Sequence, residues 1–214
     1  MASPAAKRPT KSAPSWASYR ESIGDRSEMF HSVASAYGVS RALYLGSYLD
    51  LAPSTAIASV TYVDTDKRAA QYFADPTRIE ADLKDRAQPG AGVDIDFLAA
   101  DFTDTLPIDD GSIDLLISLF TAPGWEHCRR YLKPGGLLLA NTSHGEASLA
   151  ALDPELGLVA AIHHREQRYR LDQEGLDCYL IPKKPEAAAA GAIRSSGRGV
   201  AYTRSAFAYL FQLI

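Results

Sequence analysis

The sequence predicts an α/β protein with a doubly wound, mostly parallel sheet of seven strands, the last of them antiparallel. Three features point there. Short apolar runs alternate with helix-period segments between Ala42 and Ala140. Asp114–Leu119, DLLISL, is almost continuously apolar, as a strand covered on both faces must be. The stretch Ala42–Asp66, ALYLGSYLDLAPSTAIASVTYVDTD, has the form strand, glycine turn, short crossover, strand, acids. In a parallel sheet both strand ends lie at one edge, and ligands bind there where strand order reverses.

A chain of 214 residues suits one α/β domain with a full core. Residues 1–14 are expected to form a disordered basic tail, and 15–214 a single domain. A net charge of −4 gives no global pull toward nucleic acid or an anionic membrane. Cys128 and Cys178 form no CxxC and suit a reducing compartment, so a cytoplasmic location is expected. No apolar run approaches the roughly 20 residues of a membrane helix. The opening MASPAAKRPTKSAPS lacks the apolar core of a secretory signal.

In chain order, Trp16, Tyr19 and Ile23 have helical spacing, and Gly24 interrupts them. Asp25 and Glu28 look like a capping box for a helix with Phe30, Val33, Ala34 and Tyr37 on one face, ended by Gly38. Pro53 suits the first turn of a short crossover helix. Asp66 and Asp75 are placed to cap the next two helices. Gln88–Gly92 reads as a turn before a strand over Val93–Ala99. After Asp114–Leu119, a helix is expected over Trp125–Leu132, stopped by Lys133-Pro134-Gly135-Gly136, then a strand over Leu137–Ala140 and a helix over Glu146–Leu152. Arg168–Leu171 and Leu176–Ile181 read as a strand pair around Gln173-Glu174-Gly175. Pro182–Gly199 reads as a mobile loop and Ala206–Ile214 as the final strand.

Asp101-Phe102, Leu106-Pro107-Ile108-Asp109, Ser112-Ile113-Asp114-Leu115 and Leu132-Lys133-Pro134-Gly135-Gly136 follow a strand ending in Asp64. In that order and spacing the chain resembles a class I S-adenosylmethionine-dependent methyltransferase over roughly Val39–Ser143. The resemblance implies a Rossmann-like methyltransferase fold, S-adenosylmethionine as cofactor, and methyl transfer to a small-molecule acceptor. It implies that Asp64 accepts from the ribose hydroxyls and Asp101 from the adenine amino group. Phe102 would lie against the adenine ring or, alternatively, serve as a core aromatic. Gly46, Ser47, Thr65, Ser118 and Phe120 would border the cofactor.

The chain departs from the family at the first strand. The acid that normally holds the cofactor's ammonium is replaced by Tyr44, and the two glycines after Gly46 by Tyr48 and Asp50. Those glycines normally let the backbone approach the methionine part of the cofactor. Two further readings follow: a domain that has lost catalysis and serves as a binding or interaction module, and a binder of another adenine nucleotide. For chemistry, Asn141 and His144 follow the fifth strand at the ligand edge. The imidazole suits proton transfer near neutrality; the alternative is that Ser143 or His144 simply starts the next helix. No residue spacing suggests a metal site, a P-loop or a nucleic-acid surface.

Overall fold

The computed structural model describes residues 14–84, 86 and 92–214. The elements are α1 (Trp16–Ile23), α2 (Ser27–Tyr37), β1 (Arg41–Leu45), β2 (Ser59–Val63), α3 (Lys67–Phe73), α4 (Pro76–Leu83), β3 (Asp94–Leu98), β4 (Ile113–Ser118), α5 (Trp125–Cys128), β5 (Leu132–Ala140), α6 (Glu146–Ala150), β6 (Leu156–Arg165), β7 (Arg168–Asp172), α7 (Ala190–Ser196) and β8 (Ala208–Leu213). The eight strands form one sheet in the order β3-β2-β1-β4-β5-β8-β6-β7. Strands β1 to β5 are parallel. Strand β8 runs against both β5 and β6, so β6 points the same way as β1–β5; β7 runs against β6. The expected mostly parallel sheet and the antiparallel last strand are both present.

Alternation along the strands builds two cores. Ala42, Tyr44, Leu115, Ile117, Leu137 and Leu139 face one side, against Trp16, Phe30, Val33, Tyr72 and Ile79 of the helices. Leu43, Leu45, Leu116 and Leu138 face the other, against Trp125, Cys128, Ala147 and Ala150. Coverage on both faces is why β4 reads as an unbroken apolar run.

Several local signals act as expected. Gly38 closes α2 in the left-handed conformation, and Asp66 and Asp75 accept the backbone N–H of Arg68 and Arg78 to cap α3 and α4. Asp25 accepts from the Ser27 N–H, but Glu28 does not complete a box; its carboxylate accepts the Tyr169 N–H of β7 at 3.1 Å. The Gln88–Gly92 turn, Gly92 apart, and the basic tail through residue 13 lie outside the described residues.

Four expectations are corrected. The sheet has eight strands, not seven. The partner of β7 is β6, across a two-residue turn at Glu166 and Gln167 with φ of 51° and 65°. Two positive φ values make the hairpin-favouring turn, but here without the Asn or Gly that would advertise it. Residues 176–178 form a 3-10 turn held by side chains, with the Tyr179 hydroxyl and Arg204 both on the Asp172 carboxylate. Residues 182–199 are not a free loop: the alanine run forms α7, Ile193 is buried, and the Gly199 N–H donates to the Thr142 carbonyl at 2.9 Å. Finally, the helix after Trp125 lasts one turn plus a 3-10 turn, and β5 starts at Leu132, before the Pro-Gly-Gly.

That early start has a cause. Ile113 pairs with Leu132 but Leu115 with Leu137, so Lys133–Gly136 bulge out of register. The bulge brings Lys133 to 2.5 Å from one oxygen of Asp114. The other oxygen accepts the Ser40 N–H and hydroxyl, each at 2.7 Å, and the Arg41 N–H at 2.9 Å. Burial pushes the Asp114 carboxyl up, but the bonds from Lys133, Ser40 and Arg41 outweigh it and hold its pKa at about 2. A carboxyl lowered on folding adds stability above its unfolded pKa and loses it as pH falls through the folded one. Asp114→Asn is therefore expected to cost roughly 2 kcal/mol at pH 7, from a shift of nearly two units. The difference should shrink as pH falls from about 4 to 2 in urea denaturation of both proteins.

Candidate functional site

The turn after β1 is tied to the end of β2. The Gly46 N–H donates to the Val63 carbonyl at 2.8 Å, and the Tyr48 N–H to the Asp64 Oδ2 at 2.7 Å. Asp64 Oδ1 accepts the Asp66 N–H at 2.8 Å. Asp64 thus fixes both loops, and each of its oxygens keeps a lone pair for a further donor. Gly46 has φ of 61°, and a Cβ there would lie 2.5 Å from the Thr121 hydroxyl. Only glycine lets the loop after β4 pass this close. Tyr48 itself takes φ of 45°, with its ring edge-on to Tyr19 at 4.9 Å and the Arg68 guanidinium 5.1 Å away.

The opposite wall comes from the ends of β3 and β4. Asp101 Oδ1 accepts the Thr103 N–H at 2.9 Å and hydroxyl at 2.8 Å, and these bonds hold its carboxyl below the usual range. Phe102 is half-buried against the second core, so it packs and lines the site at once. The loop after β4 is held by Glu146. This buried carboxylate accepts from the Ser118 hydroxyl at 2.7 Å, the Gly124 N–H and the Trp125 N–H. Burial pushes its pKa up in spite of those bonds. Phe120, φ 58° and 45% exposed, projects from this loop, with its N–H 3.3 Å from the Asn141 Oδ1.

Together these walls enclose a cleft of about 450 Å³ lined by Gly46, Asp64, Thr65, Ala100–Thr103 and Phe120–Ala122. Six of the residues expected at a cofactor site meet there: Gly46, Asp64, Thr65, Asp101, Phe102 and Phe120. Ser47 and Ser118 are buried behind the wall. Asn141 is buried, and its Oδ1 serves Phe120 and Ser143. His144 is exposed on the following turn and does not line the cleft. Arg26, Thr121 and Glu146 shape the site and carried no signal in the sequence: none belongs to a motif, and their partners are distant along the chain.

Arg26 matters most. Its Nη1 lies 3.1 Å from Asp50 Oδ2 and 3.2 Å from the Tyr44 hydroxyl, which donates to the same carboxylate oxygen at 3.1 Å. Asp50 Oδ1 accepts the Ala52 N–H. All three side chains are buried. Burial pushes Asp50 up against the pull of Arg26, raises the Tyr44 hydroxyl well above its ordinary pKa, and opposes the Arg26 charge, which Tyr44 and Asp50 sustain. The guanidinium also lies 4.7 Å over the Phe120 ring.

Residues 44–140 match the methyltransferase domain family. Over that stretch the chain is similar to the class I S-adenosylmethionine-dependent methyltransferases. It is 37% identical over 83 residues to the 23S rRNA (guanine(748)-N(1))-methyltransferase of Streptomyces fradiae; the match covers 39% of this chain and 28% of that protein. Similar solved structures include a methyltransferase from Geobacter sulfurreducens (14% identity, 77% of this chain and 92% of that one, TM-score 0.49). Another is the tRNA (m1A58) methyltransferase of Aquifex aeolicus (14% identity, 87% and 68%, TM-score 0.46). S-adenosylmethionine is the cofactor of the family, and the cleft fits its adenosine portion, with free lone pairs on Asp64 beside Phe102. The region that normally takes the methionine portion holds Tyr48 and the Arg26–Asp50–Tyr44 cluster, with Ser47 Oγ and Arg26 Nε buried and unpartnered among the described residues.

Proposed function

We propose that the protein binds S-adenosylmethionine with its adenosine in the Asp64–Phe102 cleft and transfers the methyl group to an acceptor at the same sheet edge. The observation that carries this is the convergence of Gly46, Asp64, Thr65, Asp101, Phe102 and Phe120, from four strand ends, on one cleft. The cofactor supplies an electrophilic methyl; the chain's part is to hold the nucleoside and align the acceptor. Asp64 and Asp101 take the ribose and the adenine amino group. Asn141 positions Phe120 through its backbone, and His144, a turn away, is the candidate proton acceptor. A small molecule is the acceptor expected from the sequence. The Streptomyces relative acts on rRNA, so the expectation of no nucleic-acid partner gains no support. No helix among the described residues is long and apolar enough to cross a membrane.

A second reading, an adenosine-binding module without catalysis, is favoured by the buried Arg26–Asp50 pair standing where the cofactor's amino-acid end would lie. Calorimetry with S-adenosylhomocysteine and with methylthioadenosine, which lacks that end, separates the two. Methyl transfer predicts that the homocysteine compound binds at least about tenfold tighter, and that Asp64→Ala weakens both by about tenfold or more. Equal affinities would favour the module, and no binding of either compound at millimolar concentration would exclude both readings.

A further inference from the structure

Strand β6 runs with β1–β5, so its end and the start of β7 reach the same edge as the cofactor cleft. The hairpin between them is basic. Arg165, Arg168 and Arg170 line a second cleft of about 730 Å³ with His164, Tyr169 and Glu28. Their charge is only partly spent. Arg170 pairs with Asp172, while Arg165 meets Glu166 where both side chains are at least 80% exposed, a contact of little energetic weight. Among the described residues Arg168 has no ion pair, and the Glu28 carboxylate is engaged by the Tyr169 N–H. A positive cleft on a chain of net charge −4 is a local feature.

The same cleft offers a flat surface. His164 stacks on Tyr169 at 4.3 Å with 10° between the planes, and His164 is exposed, so its outer face is open. The Tyr169 hydroxyl is buried without a hydrogen-bond partner among the described residues. Phe207 stands edge-on to both rings at 5.5 Å and meets Phe120, which lines the cofactor cleft, at 5.8 Å. An unbroken aromatic run joins the two clefts.

We propose that the hairpin cleft holds the acceptor, and that the acceptor is a nucleobase carrying its phosphate. The guanidinium groups of Arg165 and Arg168 take the phosphate oxygens in their two-pronged geometry, and the ring stacks on His164. A free nucleotide and an RNA strand present the same chemistry. The proposal rests on the methyl-transfer reading only in calling the ligand the acceptor.

Titration calorimetry with guanosine 5′-monophosphate and with guanosine tests it; guanine keeps the probe away from a cleft suited to adenine. The nucleotide is expected to bind about tenfold tighter than the nucleoside. Arg165→Ala combined with Arg168→Ala should erase that difference and leave S-adenosylhomocysteine binding unchanged, and Asp64→Ala should leave nucleotide binding unchanged. Equal affinity for nucleotide and nucleoside, wild-type nucleotide binding by the double variant, or loss of nucleotide binding in Asp64→Ala would overturn the site. A single-stranded oligoribonucleotide of about twelve residues identifies the source. Binding more than about tenfold tighter than the nucleotide assigns a strand, and binding no tighter assigns a free nucleotide. In either case an oligoribonucleotide affinity unchanged by the double variant overturns the site. Nucleotide binding without any S-adenosylhomocysteine binding would leave the hairpin site standing and remove the methyl-transfer reading.

Discussion

Arg26→Met is expected to destabilise the protein by about 3–5 kcal/mol, because it strands the Asp50 carboxylate in the core. Asp50 is 1% exposed and Arg26 5% exposed, so water cannot replace the lost partner. The Tyr44 hydroxyl and the Ala52 N–H still donate to Asp50, but both are neutral and do not offset a buried charge. Asp50→Asn, leaving Arg26 unpaired, should cost a similar amount. Combining Arg26→Met with Asp50→Leu should recover most of the loss, since removing both charges removes the desolvation penalty together with the attraction. Guanidinium denaturation of the two single variants and the double variant measures this directly. Additive losses would mean that the two side chains do not act as a pair. The cluster also bears on ligand binding, because the Arg26 guanidinium stacks on Phe120 at the cleft wall.

Glu146→Ala is expected to cost about 3 kcal/mol, since it leaves the Ser118 hydroxyl and the Gly124 and Trp125 N–H groups without an acceptor in the interior. Phe120, Thr121 and Ala122 lie between the anchored positions, so the wall of the cleft should loosen too. S-adenosylhomocysteine affinity is expected to fall by about tenfold. Glu146→Gln keeps the shape and one acceptor oxygen, and its loss should be smaller. It should also depend on pH in a defined direction. Burial raises the Glu146 pKa on folding, so the native state holds that proton more tightly than the unfolded chain. The stability Glu146 contributes is full below its unfolded pKa and declines as pH rises through the folded one. Glutamine does not titrate, so the penalty of Glu146→Gln relative to wild type should shrink as pH rises above about 4.5. Denaturation of both proteins across that range checks it; a penalty that grows with pH would show that the carboxyl is lowered.

Much of the cleft was legible because its signals are local. A strand followed within one turn by Gly46, another followed by Asp64, and a third followed by Asp101-Phe102 each need only a short window of sequence, and the parallel topology then gathers them at one edge. Illegible features depend on long-range partners. Arg26 meets Asp50 across 24 positions, and Ser118 meets Glu146 across 28. Strand β6 was hidden for a related reason. LGLVAAIHHR mixes small, apolar and polar residues, and its turn, Glu166-Gln167, uses left-handed backbone without glycine. Only pairing with β7 and β8 on its two sides makes it a strand.

The sequence by itself determined the fold class and the strand ends that carry Gly46, Asp64 and Asp101-Phe102 to the cleft, because hydrophobic period and turn chemistry act within a few residues. It also marked Tyr44, Tyr48 and Asp50 as departures from the family. What those departures do was decided only by tertiary structure. The packing of α2 against the 3-10 turn Ala52–Thr55 brings Arg26, the residue just before the helix, onto Asp50, and turns that acid from an isolated group in a glycine turn into half of a buried ion pair. A buried charge is tolerable only with a partner, and nothing within the turn provides one.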